Sequence, residues 1–355
     1  MPGEALVERL FEAVLGFNDL HSVYIGDRLG LYQAIADGAA TPPEVAAAAG
    51  CDERYVREWL EHQAVTGILA VDDVDAAPSD RTYSFPAGHA EVLLDRDSLN
   101  YMAAFARMMV GIVNPLPELL EAFRTGAGVP YAHYGQDFVE GQGDMNRTQF
   151  VQLLGREWLP AVPDVHARLE AEPAARVADV ACGTGWSSIS IARAYPRVRV
   201  DGFDLDPASI ELARAAAEQE GLSDRVDFEV RDAADPELAD RYQLVTVFEA
   251  IHDLAKPVEA LRAVHGLLAD DGVAVIADER VADTFTAPGD EVERVMYGWS
   301  ILHCLPVGRV EQPSAETGTA MRVSTFEGYA RDAGFERVEI LPIEHDFWRF
   351  YRLER

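Results

Sequence analysis

A predicted strand in the second half of the sequence ends in a glycine-rich stretch. Acidic and polar residues surround this stretch. The stretch includes Asp179, Gly183 and Gly185. A glycine-rich turn between a strand and a helix lets backbone N–H groups approach a bound ligand. A dinucleotide-binding turn carries a third glycine at the position that Ser188 occupies here. Together with the Asp179 carboxylate, this difference favours a cofactor with a positive charge and an amino-acid tail over a pyrophosphate.

Two further acids follow the next predicted strands. Asp204 comes about 20 residues after the glycine turn, the separation at which an acid binds ribose hydroxyls. Asp204 could instead cap the next helix, but Asp206 lies directly before Pro207 and is better placed as that cap. Asp232 ends the third strand, where a carboxylate can accept a hydrogen bond from an adenine amine. These acids predict contacts with a ribose and an adenine.

A histidine follows the fourth predicted strand. Histidine titrates near neutral pH, so His252 can accept a hydroxyl proton and is a candidate general base. The alternative is that His252 caps the turn before Lys256.

The elements around these motifs alternate between strands and helices from residue 176 onward. Repeated β-α-β units predict a parallel, doubly wound sheet. The last two strands have no helix between them, which predicts an antiparallel hairpin at the sheet edge. Before this region, residues 126–144 are rich in glycine and aromatic residues and are predicted to form a loop.

The first half of the chain is predicted to be mainly helical. Two helices joined by a turn and followed by a β hairpin have the plan of a winged helix. Residues 41–69 contain five acidic residues and two arginines, whereas a DNA-binding module would present a basic face. We therefore interpret this region as a dimerisation or substrate-lid module.

The amino-acid composition disfavours several classes of binding partner. The 355 residues carry a formal net charge of −31, which disfavours nucleic acid. No apolar run has the length of a membrane span, so we expect no membrane association. Three scattered cysteines predict reduced thiols in the cytoplasm, and no cluster has metal-ligand spacing, so no metal is expected.

The four motifs in this order resemble the class I S-adenosylmethionine-dependent methyltransferases, over residues 176–355. The first half is similar to the N-terminal dimerisation domain of the winged-helix small-molecule O-methyltransferases of plants and of actinobacterial natural-product pathways. The resemblance implies a Rossmann-like α/β domain with seven strands, S-adenosyl-L-methionine as cofactor, and a homodimer formed through the N-terminal domain. It predicts a winged-helix domain at 1–95, a helical linker and lid at 96–172, and the methyltransferase domain at 173–355.

The resemblance also implies roles for individual residues. Leu205 would stack on the adenine and Glu249 would border the sulfonium. The full set of implied cofactor contacts is Asp179, Ala181, Gly183, Gly185, Asp204, Leu205, Asp232, Ala233 and Glu249. His252 would be the general base and Asp278 the acid that orients it.

Aromatic and histidine side chains are the substrate candidates. Tyr297 and His303 lie in a segment that in these relatives forms a helix over the substrate pocket. Tyr131 and Tyr134 lie in the glycine-rich loop and could cover the cofactor or the substrate. For all four residues the alternative is ordinary packing.

The predicted function is methylation of a small molecule, with O-methylation of a hydroxyl group as the first hypothesis. The alternatives are N- or C-methylation, a non-methylating enzyme on the same fold, a cofactor-sensing transcriptional regulator, and an NAD-dependent oxidoreductase.

Overall fold

The computed structural model describes residues 3–232 and 242–355. These residues form two compact units, one from the described part of 1–111 with 136–148, the other from 112–135 with the described part of 149–355. The segment predicted as linker and lid, residues 96–172, is divided between the two units. The three-part division at residues 95 and 172 stays a prediction.

The first unit is mainly helical. Its helices are α1 (Glu4–Arg28), α2 (Pro42–Ala49), α3 (Glu53–Val65), α4 (His89–Leu94), α5 (Ala103–Ile112) and α7 (Gln136–Gln149), the last two ending at the unit's boundary. A hairpin of β1 (Ala70–Asp72) and β2 (Thr82–Ser84) follows α3. The order α2, α3, hairpin is that of the predicted winged helix.

Local capping explains why α2 and α3 begin where they do. The Glu44 carboxylate accepts a hydrogen bond from the Thr41 backbone N–H at 2.8 Å. The Asp52 carboxylate accepts from the backbone N–H groups of Arg54 and Tyr55 at 3.0 and 3.3 Å. Both caps satisfy N–H groups that the first turn of a helix leaves without a partner.

The prediction of a loop over residues 126–144 is wrong in its second half, where α7 begins at Gln136. Gly141 in this helix permits close packing against another helix. A Cβ on Gly141 would lie 2.5 Å from the Met108 backbone nitrogen, so glycine lets α7 approach α5. Glycine content alone does not distinguish such a contact from a flexible loop.

The second unit contains α6 (Leu116–Thr125) and the sheet with its helices. The strands are β3 (Arg176–Val180), β4 (Arg199–Asp204), β5 (Val226–Val230), β6 (Tyr242–Phe248), β7 (Leu268–Glu279), β8 (Arg337–Ile340) and β9 (Trp348–Glu354). The further helices are α8 (Pro163–Glu170), α9 (Trp186–Ala194), α10 (Pro207–Gln219), α11 (Pro257–Leu267), α12 (Glu291–Trp299), α13 (Leu305–Gly308) and α14 (Val323–Ala333). A π-helical segment, Phe150–Trp158, precedes α8.

The sheet has seven strands in the order β5-β4-β3-β6-β7-β9-β8. The first five in this order are parallel, and β9 runs antiparallel to both β7 and β8. The predicted fold class and the antiparallel hairpin at the edge are therefore confirmed. The strand order reverses at β3, between β4 and β6, and open α/β sheets bind ligands at the carboxyl ends of strands beside such a point.

Apolar clusters cover both faces of the sheet, as expected for parallel strands. One includes Ile189, Ile210 and Phe228; the other includes Val247, Leu261 and Phe326. The functional side chains are therefore confined to the strand ends. Among the described residues, no helix has both the length and the apolar character to cross a membrane.

Candidate active site

The turn after β3 has a backbone that side chains rarely permit. Ala181, Gly183 and Gly185 all have positive φ angles, of 56°, 53° and 82°. A Cβ on Gly185 would lie 2.5 Å from the Phe228 ring, so this position requires glycine on two counts. The turn brings the backbone N–H groups at the start of α9 to the carboxyl edge of the sheet, where they can face an anionic group.

Asp179 is buried below this turn and bonded on both carboxylate oxygens. One oxygen accepts hydrogen bonds from the hydroxyls of Ser187 and Ser188, at 2.5 and 2.6 Å. The other accepts from the Thr246 hydroxyl at 2.7 Å. Burial raises the pKa of Asp179, while these hydroxyl donors oppose the rise. Asp179 thus ties β3 to α9 and β6, which is a positioning role for the turn.

Asp204 connects the glycine turn to the end of β4. Its carboxylate accepts from the Gly183 backbone N–H at 2.7 Å and from the Asp206 N–H at 2.9 Å. Asp206 in turn accepts from the Ser209 N–H at 2.8 Å and caps α10, as predicted. Leu205, between the two acids, has 68% of its surface exposed, so its side chain is available for stacking.

The remaining predicted cofactor residues follow β5 and β6. Asp232 is exposed after β5, and Ala233 lies outside the described residues. Glu249 directly follows β6 with a φ of 56°, and its N–H donates to the Ala277 carbonyl on β7 at 2.8 Å. A non-glycine residue with positive φ persists where its surroundings hold it in place.

His252 and Asp278 form a buried pair at the ends of β6 and β7. His252 lies in a short helical turn, Ile251–Asp253, directly after β6. Its Nδ1 is 2.8 Å from the Asp278 Oδ1, and the two residues are 3% and 1% exposed. The neighbouring parallel strands end together, which explains how residues far apart in sequence meet here.

The pair defines the tautomer of the histidine. An ionised carboxylate only accepts hydrogen bonds, so the Nδ1 of His252 carries the proton. Neutral His252 then has its lone pair on Nε2, the atom that can accept a substrate proton. Burial lowers the pKa of His252, but the Asp278 carboxylate and the Cys304 side chain together more than offset this, and the pKa lies well above its usual value.

Three of the four substrate candidates lie together. The His303 ring contacts the Tyr134 and Tyr131 rings, with centroids 4.6 and 5.7 Å apart. The Tyr134 hydroxyl donates to the Leu302 carbonyl at 2.8 Å. Burial, with a contribution from His252, lowers the pKa of His303 to about 3, so its imidazole is neutral at physiological pH.

Tyr297 has a different environment. It is 39% exposed on α12, and its hydroxyl accepts a hydrogen bond from Arg322 at 3.1 Å. Arg322 also pairs with the buried Glu293 on α12. Tyr297 thus belongs to an ion-pair network that joins α12 to the start of α14.

Three residues near the pair were not predicted as site residues. Glu279 is the last residue of β7 and is 3% exposed. Burial raises the pKa of Asp253 to about 7, and the Asp278 and Glu249 carboxylates contribute to the rise. The Cys304 thiol acts on the pKa of His252 and is 3.5 Å from the His303 Nδ1. Glu279 could have been found from its place at a strand end beside Asp278, and Cys304 from its place directly after the predicted His303.

Comparisons with known proteins identify matching domains and relatives. Residues 171–312 match the family model described as a methyltransferase domain, and residues 21–95 match an Rv2258c-like winged HTH domain. Among curated relatives, polyketide synthase ThaQ of Burkholderia thailandensis is 26% identical over 204 residues, 57% of this chain and 9% of that protein. Methyltransferase GfsG of Streptomyces halstedii is 29% identical over 121 residues, 34% of this chain and 43% of that protein. The chain thus matches less than half the length of either relative.

Solved structures share the fold over nearly the whole chain. The mitomycin 7-O-methyltransferase MmcR superposes with a TM-score of 0.69 at 20% identity, covering 100% of this chain and 99% of that one. PigF with SAH gives a TM-score of 0.70 at 18% identity, covering 98% and 99%. Residues 171–312 thus match a methyltransferase domain and residues 21–95 a winged helix-turn-helix domain, on a fold that the chain shares with these solved structures.

Proposed function

We propose that the protein transfers a methyl group from S-adenosylmethionine to a hydroxyl group of a small molecule, with His252 as the general base. The observation that carries this proposal is the buried His252–Asp278 pair at the strand ends beside the glycine turn. The buried carboxylate orients the imidazole and directs its Nε2 lone pair away from Asp278.

The residues at the turn fit the cofactor. The left-handed backbone at Gly183 and Gly185 leaves room for close approach, since a Cβ on Gly183 would point into open space. Asp204 would hold the ribose hydroxyls, and the exposed Leu205 would cover the adenine. S-adenosylmethionine supplies, when bound, an electrophilic methyl group on a sulfonium.

The chain's own contribution is to position the acceptor and to take up its proton. The acceptor oxygen bonds to the methyl carbon as the carbon–sulfur bond breaks, and the hydroxyl proton passes to the His252 Nε2. Asp278 stabilises the resulting imidazolium through the Nδ1 hydrogen bond. Burial of the pair excludes water from the proton-transfer site.

The base role is tested with His252→Ala. We expect kcat to fall by roughly 10²- to 10⁴-fold, the usual contribution of a positioned general base. The affinity for S-adenosylhomocysteine, measured by calorimetry, should stay close to that of the native protein. His166→Ala is the matched control, because His166 lies on α8 and bonds to Tyr195. Full turnover by the His252→Ala protein would refute the base role.

N-methylation is the second candidate, because the solved structure of an N,N-8-amino-8-demethyl-D-riboflavin dimethyltransferase shares the fold with a TM-score of 0.62. The site of the new methyl group, determined by mass spectrometry and NMR of the product, distinguishes the two reactions.

We further propose a homodimer formed through α1. Its residues Leu6, Val7, Leu10, Phe11, Val14 and Leu15 are all exposed. Their spacing places them on one stripe of the helix, and such a stripe is typical of a helix that packs against a partner. A second copy offers an identical stripe, which a two-fold axis pairs with the first. With three cysteines that form no disulfide, we place this dimer in the cytoplasm.

A further inference from the structure

Two glutamates lie together beside the proposed base. Glu249 follows β6 and Glu279 ends β7, and the backbone hydrogen bond from the Glu249 N–H to the Ala277 carbonyl holds the two strand ends in contact. The positive φ of Glu249 is maintained by this contact. The surrounding structure therefore brings two carboxylates to one place.

Part of this carboxylate surface lacks a hydrogen-bond donor. The Oε2 of Glu279 and the Oδ2 of Asp278 are buried and have no hydrogen-bond partner among the described residues. Glu279 as a whole is 3% exposed. Buried carboxylate oxygens normally accept hydrogen bonds, because removing them from water without a donor is energetically unfavourable. Two such oxygens on adjacent residues indicate that a donor arrives with a ligand.

The charges around Glu279 favour a cationic donor. Burial raises the pKa of Glu279 well above its usual value, and the nearby Glu249 and Asp278 carboxylates raise it further. Among the described groups with the largest effects on the pKa of Glu279, only His252 lowers it. A ligand cation would relieve this repulsion between carboxylates.

The position in the sheet separates Glu279 from most of the predicted cofactor contacts, while Glu249, at the end of β6, lies between the two groups. The glycine turn and Asp204 follow β3 and β4, whereas Glu279 follows β7, on the other side of β6. Adjacent strands lie about 4.8 Å apart, so the ends of β7 and β3 are roughly 10 Å apart. Glu279 is thus on the side of the sheet edge that carries His252 and Asp278.

We propose that Glu249 and Glu279 bind a protonated amine of the methyl acceptor, so that the substrate is a hydroxyl compound that also carries a basic amino group. This inference rests on the proposed function, because it assigns the acceptor to the same site. The ammonium donates to the Glu279 Oε2 and to Glu249, while the hydroxyl group faces the His252 Nε2.

Equilibrium binding tests the inference independently of turnover. Tyramine and 4-ethylphenol differ by the amine alone, as do dopamine and 4-ethylcatechol. Each is titrated calorimetrically at neutral pH into the full-length protein saturated with S-adenosylhomocysteine. We expect the amine of each pair to bind roughly 10- to 100-fold more tightly, the effect of a charged hydrogen bond. In Glu279→Gln this preference should nearly disappear while the affinity for the neutral phenols is retained.

Two further variants provide a control and a second test of the amine preference. Glu336→Gln removes an exposed carboxylate of the same unit and should keep the native preference. Glu249→Gln should lower the preference as Glu279→Gln does, and it serves if Glu279→Gln does not fold. Equal binding of amine and neutral phenol to the native protein would overturn the inference.

A second experiment tests whether Glu279 contacts the sulfonium of the cofactor instead of a substrate amine. S-adenosylmethionine carries a sulfonium charge that S-adenosylhomocysteine lacks, so a glutamate that served the sulfonium would change the ratio of their affinities. We expect this ratio to be the same in Glu279→Gln and in the native protein, and a loss of tenfold or more would overturn the inference. Failure of the proposed function would instead leave amine binding intact while no S-adenosylhomocysteine is released from any acceptor.

Discussion

At the scale of single residues, the chemistry depends on how the surroundings of His252 change its proton affinity. Burial favours the neutral imidazole, whereas the Asp278 carboxylate and the Cys304 side chain favour the imidazolium. Together these two neighbours outweigh burial, which makes His252 a stronger base than a histidine in water. The same effect protonates it at low pH, and protonated His252 cannot accept a proton from a substrate.

The first prediction concerns the pH dependence of kcat/KM. The active form is neutral His252, so the rate should rise with pH through a value above the usual pKa of histidine. In Asp278→Asn the carboxylate is removed and burial remains, so the pKa of His252 falls and the rising part of the profile moves to lower pH. The plateau should also drop by at least about 10- to 100-fold, the range known for carboxylates that orient metal-ligating histidines.

Asp271→Asn is the control, because Asp271 is exposed on the same strand. Its profile should overlay that of the native protein. A profile of Asp278→Asn with an unmoved rising limb would contradict the assignment of that limb to His252.

At the scale of elements, the glycine turn and the strand ends position the site. The turn after β3 tolerates side chains unequally. A Cβ on Gly183 would meet no atom within 4 Å, whereas a Cβ on Gly185 would overlap the Phe228 ring. Both residues have left-handed backbones, so an alanine at either position has the same unfavourable backbone conformation. Only the alanine at position 185 would also overlap the Phe228 ring.

The second prediction follows from this difference. Gly183→Ala should lower the free energy of unfolding by about 1–2 kcal/mol, the cost of a left-handed backbone at a residue with a side chain. Gly185→Ala should lower it by a further 1–3 kcal/mol, roughly the cost of overpacking a core. Urea denaturation of both variants gives the comparison. Equal destabilisation would show that the Phe228 contact is relieved at little cost.

The elements were predictable to different degrees. The turn between β3 and α9, the acid after β4 and the cap at Asp206 follow local rules that short stretches of sequence express. The helix α7 was missed because Gly141 permits close packing against α5, a contact between segments distant in sequence. Asp179 stays a predicted cofactor contact, and the structure adds the hydrogen bonds that its two oxygens accept from Ser187, Ser188 and Thr246.

At the scale of the whole molecule, the exposed stripe on α1 carries a third prediction. Phe11, 62% exposed, lies in the middle of the stripe. Phe11→Glu should convert a dimer into a monomer in light scattering at micromolar concentration, because two buried carboxylates would face each other across the axis. Val65→Glu is the matched control, since Val65 is 87% exposed on α3.

A monomeric native protein would refute the proposed dimer, as would a Phe11→Glu variant that remains dimeric. Dissociation by both substitutions would extend the interface from α1 to α3 and contradict a dimer formed through α1 alone.

The net charge of −31 carries a fourth prediction for the winged-helix domain. Counterions released when Lys and Arg neutralise phosphates drive most nucleic-acid binding. A strongly acidic protein neutralises few phosphates, so this contribution to binding is small. We expect no shift of duplex DNA in a gel at low salt, with or without S-adenosylhomocysteine. A salt-sensitive shift would favour the regulator hypothesis.

The sequence alone determined the class of fold, the cofactor turn and the identity of the proposed base, because each depends on residues that are close in sequence and follow local rules of strand, turn and helix. The tertiary structure decided which side chains meet. It gave the geometry of the hydrogen bond between His252 and Asp278, brought Tyr131 and Tyr134 to His303, and set Glu279 beside Glu249. The physical reason is that parallel strands bring their carboxyl ends to one edge, so the partners of each residue depend on strand order and register rather than on separation along the chain.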